Sequence, residues 1–181
     1  MVKQKKIILG VTGSIAAYKS AEIIRRFDEK GFRVSVVMTK EAEHFITPLT
    51  LSSLAGEKVY RGLFNQDADP WQMPHIRLAQ EADAVVIAPA TANIIAKLAH
   101  GLADDLLTCI VLATKAPVFI VPAMNVEMYN NTIVQENCSK LKKLGVVFID
   151  PVQGKLACGI VGDGHIALEE DIVKTVSKVL K

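Results

Sequence analysis

The chain has 181 residues, half of them apolar and 6% aromatic, which suits a single domain spanning residues 1–181 around an aliphatic core. A formal net charge of +2 without a basic block gives no footing for nucleic-acid binding, and the Lys/Arg clusters at 3–6 and 140–143 read as solvated faces. No apolar run reaches the ~18 residues of a spanning helix and residues 1–6 lack a signal-peptide core, so a cytoplasmic protein without membrane contact is expected.

The first apolar run, Ile7-Ile8-Leu9, gives way to Gly10-Val11-Thr12-Gly13-Ser14 and then to apolar residues at helical spacing: Ile15, Ala16, Ala21, Ile23, Ile24 and Phe27. Strand, tight turn and helix over 14–30 follow one another. Gly10 and Gly13 leave the backbone free to bend and to lie close to a ligand, while Ser14 can cap the helix and point its hydroxyl outward. The unpaired N–H groups at such a helix start favour a phosphate. The spacing is G-x-x-G-S rather than the dinucleotide G-x-G-x-x-G, and an ordinary βα turn is the other reading.

Further apolar runs at Arg33–Met38, Ala84–Ala88, Val118–Val121 and Val146–Ile149 alternate with helices predicted over 91–100, 104–114, 131–144 and 169–180. This alternation implies an α/β fold, a parallel sheet with helices on both faces, and ligands beyond the carboxyl ends of the strands. After the second strand, Thr39 is either the cap of a short helix over 41–46 or a hydroxyl set on a bound ring. Thr47-Pro48 starts another helix through Leu54. The stretch Gly56 to Pro74, with Trp71 and Met73, reads as a long surface excursion. His75-Ile76-Arg77-Leu78-Ala79 then leads into the third strand, His75 being either structural or an acid–base group.

Pro89-Ala90-Thr91-Ala92-Asn93 follows the third strand. Thr91 and Asn93 are caps, or with the first turn they close a phosphate site from its other side. After the fourth strand, Asn125 stands between Met124 and Met128, as a turn residue or as an amide that holds a carboxylate or amide in an apolar pocket. Cys109, Cys138 and Cys158 lie far apart, which suggests neither a metal site nor a disulfide framework. Lys155 to His165 sets Cys158 among glycines and reads as a loop or flap offering a thiol as acid or nucleophile.

Together, Gly13-Ser14-Ile15-Ala16-Ala17-Tyr18-Lys19, His75-Ile76, Pro89 to Asn93, Pro122-Ala123-Met124-Asn125-Val126-Glu127-Met128 and Ala157-Cys158-Gly159 to Gly164 resemble the homo-oligomeric flavin-containing cysteine decarboxylases. Within that family the likeness is to the phosphopantothenoylcysteine decarboxylases, in order and over nearly the whole chain. The Pro-x-Met-Asn-x-x-Met motif with the glycine-flanked cysteine is its most specific part.

The resemblance implies a Rossmann-like three-layer fold, FMN as cofactor, and homotrimers, sometimes built into homododecamers, with FMN at the subunit interface. It implies that Gly13, Ser14, Ile15, Thr39, Thr91, Ala92, Asn93, Ile94 and Ala123 bind FMN and that Asn125, Met128, Ala157 and Cys158 bind substrate. In the same way His75 would be the base, Asn125 would hold the substrate carboxylate and Cys158 would be the proton donor.

The implied reaction is oxidative decarboxylation of 4'-phosphopantothenoylcysteine to 4'-phosphopantetheine in coenzyme A biosynthesis. It runs through a thioaldehyde and an enethiol, with the flavin recycled. Phosphopantothenoylcysteine synthetase, fused behind this domain in many bacterial members, is the expected functional partner.

Two positions depart from the pattern: Tyr129 where Trp is frequent, and His165 where Arg is frequent. A flavin prenyltransferase would have no evident use for Cys158 or the Met-Asn motif, whereas a peptidyl-cysteine decarboxylase would differ mainly in the flap. A non-catalytic FMN-binding regulator would be marked by loss of His75, Asn125 or Cys158, and all three are present.

Overall fold

A computed structural model describes residues 4–64, 73–155 and 161–180. Six parallel strands form one sheet in the order β3-β2-β1-β4-β5-β6. They are β1 (Lys6–Val11), β2 (Arg33–Met38), β3 (Tyr60–Arg61), β4 (Ala84–Ala90), β5 (Val118–Pro122) and β6 (Val147–Phe148). In β1 the period-two alternation sends Ile7, Leu9 and Val11 to one core and Ile8 to the other. Both sets are fully buried, as expected for a central parallel strand.

One face of the sheet is covered by α1 (Lys19–Glu29), α2 (Pro48–Ala55) and α8 (Glu169–Val179), which contribute Ile23, Phe27, Leu51, Ile172 and Val176 to the first core. The other is covered by α3 (Pro74–Glu81), α4 (Ala92–His100), α5 (Leu106–Ala113) and α7 (Thr132–Lys143), through Leu78, Ile95, Ile110 and Leu141. This is the expected Rossmann-like three-layer α/β arrangement. From β1 the chain adds strands towards β3 at one edge, and from β4 it adds them towards β6 at the other. The strand order therefore reverses between β1 and β4, which opens a crevice at their carboxyl ends.

Four details differ from the sequence reading. The first helix starts late, because Ile15–Tyr18 forms a 3₁₀ turn before α1. The stretch expected to be a plain excursion contains β3, which pairs with Val37 and Met38. His75 lies on a helix, α3, rather than on a lead-in to the strand: Pro74 occupies a first-turn position that needs no N–H donor, and Leu78 and Ala79 are buried. The glycine-rich stretch expected as a loop is flanked by an antiparallel pair, β7 (Val152–Lys155) and β8 (Val161–His165). Main-chain pairing, with Gly154 opposite Gly162, forms this ladder without side-chain periodicity. Trp71, Ala157 and Cys158 lie outside the described residues. Among the described residues no helix is long and apolar enough to cross a membrane.

Candidate active site

A cavity of about 500 Å³ opens where the strand order reverses, within the ~300–1,000 Å³ usual for small-molecule sites. Three strand-to-helix turns converge on it. The turn after β1 supplies Gly13, Ser14 and Ile15, the turn after β4 supplies Thr91 and Ala92, and the turn after β5 supplies Ala123, Asn125 and Met128. Every one of these was singled out in the sequence. The fourth wall, Gly164-His165-Ile166 at the end of β8, was not read as part of a pocket. Its sequence signals were the glycine-rich run read as a flap and the departure at His165.

Hydroxyl groups stitch the turns together. Thr12 Oγ1 donates to the Pro89 carbonyl at 2.7 Å and accepts from Thr91 N–H at 3.2 Å, tying the β1 turn to the β4 turn. Ser14 Oγ donates to the Ala123 carbonyl at 3.2 Å and accepts from Ala16 N–H at 3.3 Å. Ser14 therefore caps as expected, but its hydroxyl is turned onto the β5 turn instead of outward, because that carbonyl would otherwise lack a donor. Gly13 fits only without a side chain, since a Cβ there would stand 2.5 Å from Glu41 Cβ.

Asn125 begins α6 (Val126–Asn130), its Oδ1 accepting from Glu127 N–H at 2.9 Å. The corner it occupies is held by Ala123 N–H donating to Ala90 O at 3.0 Å and Met124 N–H donating to Gly164 O at 3.2 Å. At the far end of α6, Gln135 Nε2 donates to the Tyr129 carbonyl at 2.5 Å. Burial and the neighbouring Asp150 push the Tyr129 phenol up to about 12. The phenol thus stays a neutral donor to Asp150, at 3.5 Å. Ile15, Tyr18 and Met128 leave apolar surface exposed at the cavity mouth.

Thr91 caps α4 through Ile94 N–H, at 3.4 Å. Asn93 is exposed, Ile94 is buried in the core, and neither lines the cavity. Thr39 lies at the same rim beside a second cleft of about 370 Å³, together with Lys40, Glu43, Arg61, Asp104 and Asp105. Its position suits the cap of the 3₁₀ turn Lys40–His44, but the hydroxyl makes no capping bond and Oγ1 is buried without a partner among the described residues. Most charges in that cleft are paired: Arg61 with Glu43 at 3.3 Å, and Lys97 with Asp104 at 2.9 Å and Asp105 at 3.1 Å.

His75, half-buried at the start of α3, does not line the main cavity, and its Nδ1 is buried without a partner among the described residues. Helix α3 runs back towards β4, so its first turn lies at the same carboxyl rim of the sheet. Cys109 and Cys138 are free thiols, both held up mainly by burial. Among the described residues no cluster of His, Cys, Asp and Glu could hold a metal ion.

The flavoprotein family model matches residues 1–181. The coenzyme A biosynthesis bifunctional protein CoaBC of Vibrio vulnificus is 49% identical over 90% of this chain and 40% of its own length. The chain thus spans about two fifths of that relative. A probable phosphopantothenoylcysteine decarboxylase of Streptococcus mutans is 45% identical over 97% of this chain and 99% of its own length. A solved phosphopantothenoylcysteine decarboxylase mutant in complex with pantothenoylaminoethenethiol superposes with a TM-score of 0.86 at 35% identity, covering 98% of both chains. With its whole length matched by the family model and its fold shared end to end with these relatives, the chain belongs to the flavoprotein family, on its phosphopantothenoylcysteine decarboxylase branch.

Proposed function

We propose that residues 1–181 act as one domain that decarboxylates 4'-phosphopantothenoylcysteine to 4'-phosphopantetheine with FMN as cofactor, a step of coenzyme A biosynthesis. The observation that carries this reading is the convergence of the Gly13–Ile15 turn, the start of α4 and the Asn125–Met128 corner on one cavity. That cavity has an end suited to a phosphate and an amide beside an apolar floor.

The residues present fit FMN. At the start of α4, Thr91 and Ala92 line the cavity and the first N–H groups lack carbonyl partners within the helix, a common setting for a phosphate. Gly13 keeps the turn free of side-chain bulk, and Thr39 has a buried hydroxyl in want of a partner. FMN, when bound, supplies the electron acceptor that a cysteinyl carboxylate needs before it can lose CO2.

The chain does the rest. Asn125 orients the carboxylate so that the bond to be broken aligns with the neighbouring π system, with Met128 packing beside it. His75 takes the thiol proton, and Cys158 returns a proton to the decarboxylated product. His75 is absent from the lining of its own cavity, and apolar surface surrounds the mouth. Both features support a homo-oligomer, a trimer or a dodecamer built of trimers, in which one chain's His75 serves its neighbour's cavity. Phosphopantothenoylcysteine synthetase is the functional partner that would supply the substrate, and the setting is cytoplasmic.

The test is incubation of the purified yellow protein with 4'-phosphopantothenoylcysteine, followed by mass spectrometry of the product. Loss of CO2 supports the reading. A preparation that takes up no FMN, or one that is yellow yet leaves the substrate unchanged, overturns it. In the same assay Cys158→Ser is expected to accumulate the enethiol, whereas Asn125→Asp, which sets a negative charge against the carboxylate, fails before CO2 is lost.

A further inference from the structure

The end of β8 carries a device that the proposed chemistry leaves unused. Along the β7–β8 ladder His165 faces Val152 and Asp163 faces Gln153, so Gly164 is an extra residue without an opposite number. An insertion of this kind bends the strand and re-aims the next side chain, a pattern frequent beside active sites. Here it does two things. The Gly164 carbonyl accepts from Met124 N–H at 3.2 Å, joining β8 to the Asn125 corner, and His165 becomes part of the cavity wall. Only glycine fits at 164, because a Cβ would collide with the Met124 carbonyl oxygen.

The imidazole of His165 is oriented on two sides. Nδ1 lies 3.0 Å from the Ile166 carbonyl, which can only accept, so Nδ1 carries a proton. The Cγ–Cδ2 edge lies over Gly154, where a Cβ would come within 3.1 Å of Cγ. The Cε1–Nε2 edge is the one left over in this lining residue, with no bonding partner for Nε2 among the described residues. An anion seated at that edge accepts only from an N–H, so its binding would go with a proton on Nε2.

The charge inventory of the cavity gives this meaning. No described lining residue is Lys or Arg. Lys19, next to the lining residue Tyr18, is held by Glu169 at 2.7 Å. The substrate of the proposed reaction bears a carboxylate and a phosphate.

We infer that His165 is a substrate-recognition residue, set into the cavity by the Gly164 bulge, whose Nε2–H binds an anionic group of the substrate. This rests on the decarboxylase reading, under which the anion is either the carboxylate or the phosphate.

The test is steady-state kinetics of the FMN-loaded protein on 4'-phosphopantothenoylcysteine and on its dephosphorylated analogue, for wild type, His165→Gln and His165→Arg. His165→Gln is expected to raise KM about 10- to 100-fold, the range of one charge-assisted hydrogen bond, with kcat changing no more than about twofold. His165→Arg, which keeps a cation, is expected to recover most of the loss. A KM rise confined to the phosphorylated substrate assigns the phosphate, and an equal rise on both assigns the carboxylate. An unchanged KM on both substrates overturns the inference, as does a fall in kcat accompanied by loss of flavin absorbance. Absence of wild-type turnover on either substrate would instead overturn the decarboxylase reading itself.

Discussion

Asn125 and His75 stand at the same rim of the sheet and are built in opposite ways. Around Asn125, the preceding alanine and methionine are tied to β4, β8 and Ser14, and its own Oδ1 is engaged by α6. His75 stands at the start of a two-turn helix, away from the main cavity, with a buried Nδ1 that no described residue satisfies. The contrast teaches that, on the proposed reading, one chain fixes the residue that would orient a substrate far more firmly than the residue that would move protons. Buried polar atoms without partners are uncommon in a finished structure and point to something still to be added.

The sharpest way to break this contrast is to separate the two residues between chains. His75→Gln is expected to lower kcat by about 10²–10⁴-fold while the protein stays folded and yellow. Co-expressing it with Asn125→Asp should then restore about one working site in four in random mixed oligomers, if each site draws on two chains. Activity that stays at the level of the single variants would show that one chain supplies both groups.

Gly164→Ala tests how firmly the Asn125 corner is held. With the Met124 carbonyl in its way, the new methyl should cost about 1–3 kcal/mol in a denaturant titration and raise KM as β8 is displaced. Wild-type stability and KM would show that the corner tolerates movement.

Thr39→Val probes the other sort of region, where a group is left waiting. Removing a buried hydroxyl without a partner should stabilise the FMN-free protein by about 1 kcal/mol and weaken FMN binding by about tenfold. Calorimetry and flavin fluorescence read the two effects, and a destabilised FMN-free variant would contradict this account of Thr39.

The smallest effect is expected at the Lys19–Glu169 pair, which joins α1 to α8 at 2.7 Å. Burial alone would push the Glu169 carboxyl up, but the Lys19 hydrogen bond, the main chain and nearby positive charge hold it below its ordinary 4.5. The Glu169 hydrogen bond in turn raises the Lys19 amine above 10.5. A lowered carboxyl stabilises the fold above its unfolded value and loses that contribution as pH falls through the folded one, so the pair weakens below about pH 4.5. Glu169→Gln should flatten this part of the acid limb by less than about 1 kcal/mol, measured as midpoint against pH.

Much of the cavity lining was legible in the sequence because it is made of short connections. Gly13-Ser14, Thr91-Ala92 and Ala123-Asn125 each directly follow an apolar run, and a parallel sheet gathers all such ends at one rim. Helix α3 was missed although Pro74 marks a helical first turn, because the irregular stretch before it masked the start. The β7–β8 pair was missed for a different reason. Its strands are specified by main-chain pairing and two opposed glycines, which leave no alternation to read. The inward turn of His165 depends on a one-residue offset in that ladder, and such an offset has no signature in residue type. Nor could the sequence show that Ser14 spends its hydroxyl on Ala123, since that contact spans 109 positions.

The state of the two structural cysteines has a practical consequence. Burial keeps both Cys109 and Cys138 protonated at neutral pH, and a protonated thiol reacts slowly with alkylating agents. A brief, substoichiometric dose of iodoacetamide therefore has little background to contend with. Incorporation faster than that background, located by peptide mass mapping, would report on the third cysteine, Cys158, with and without substrate in place.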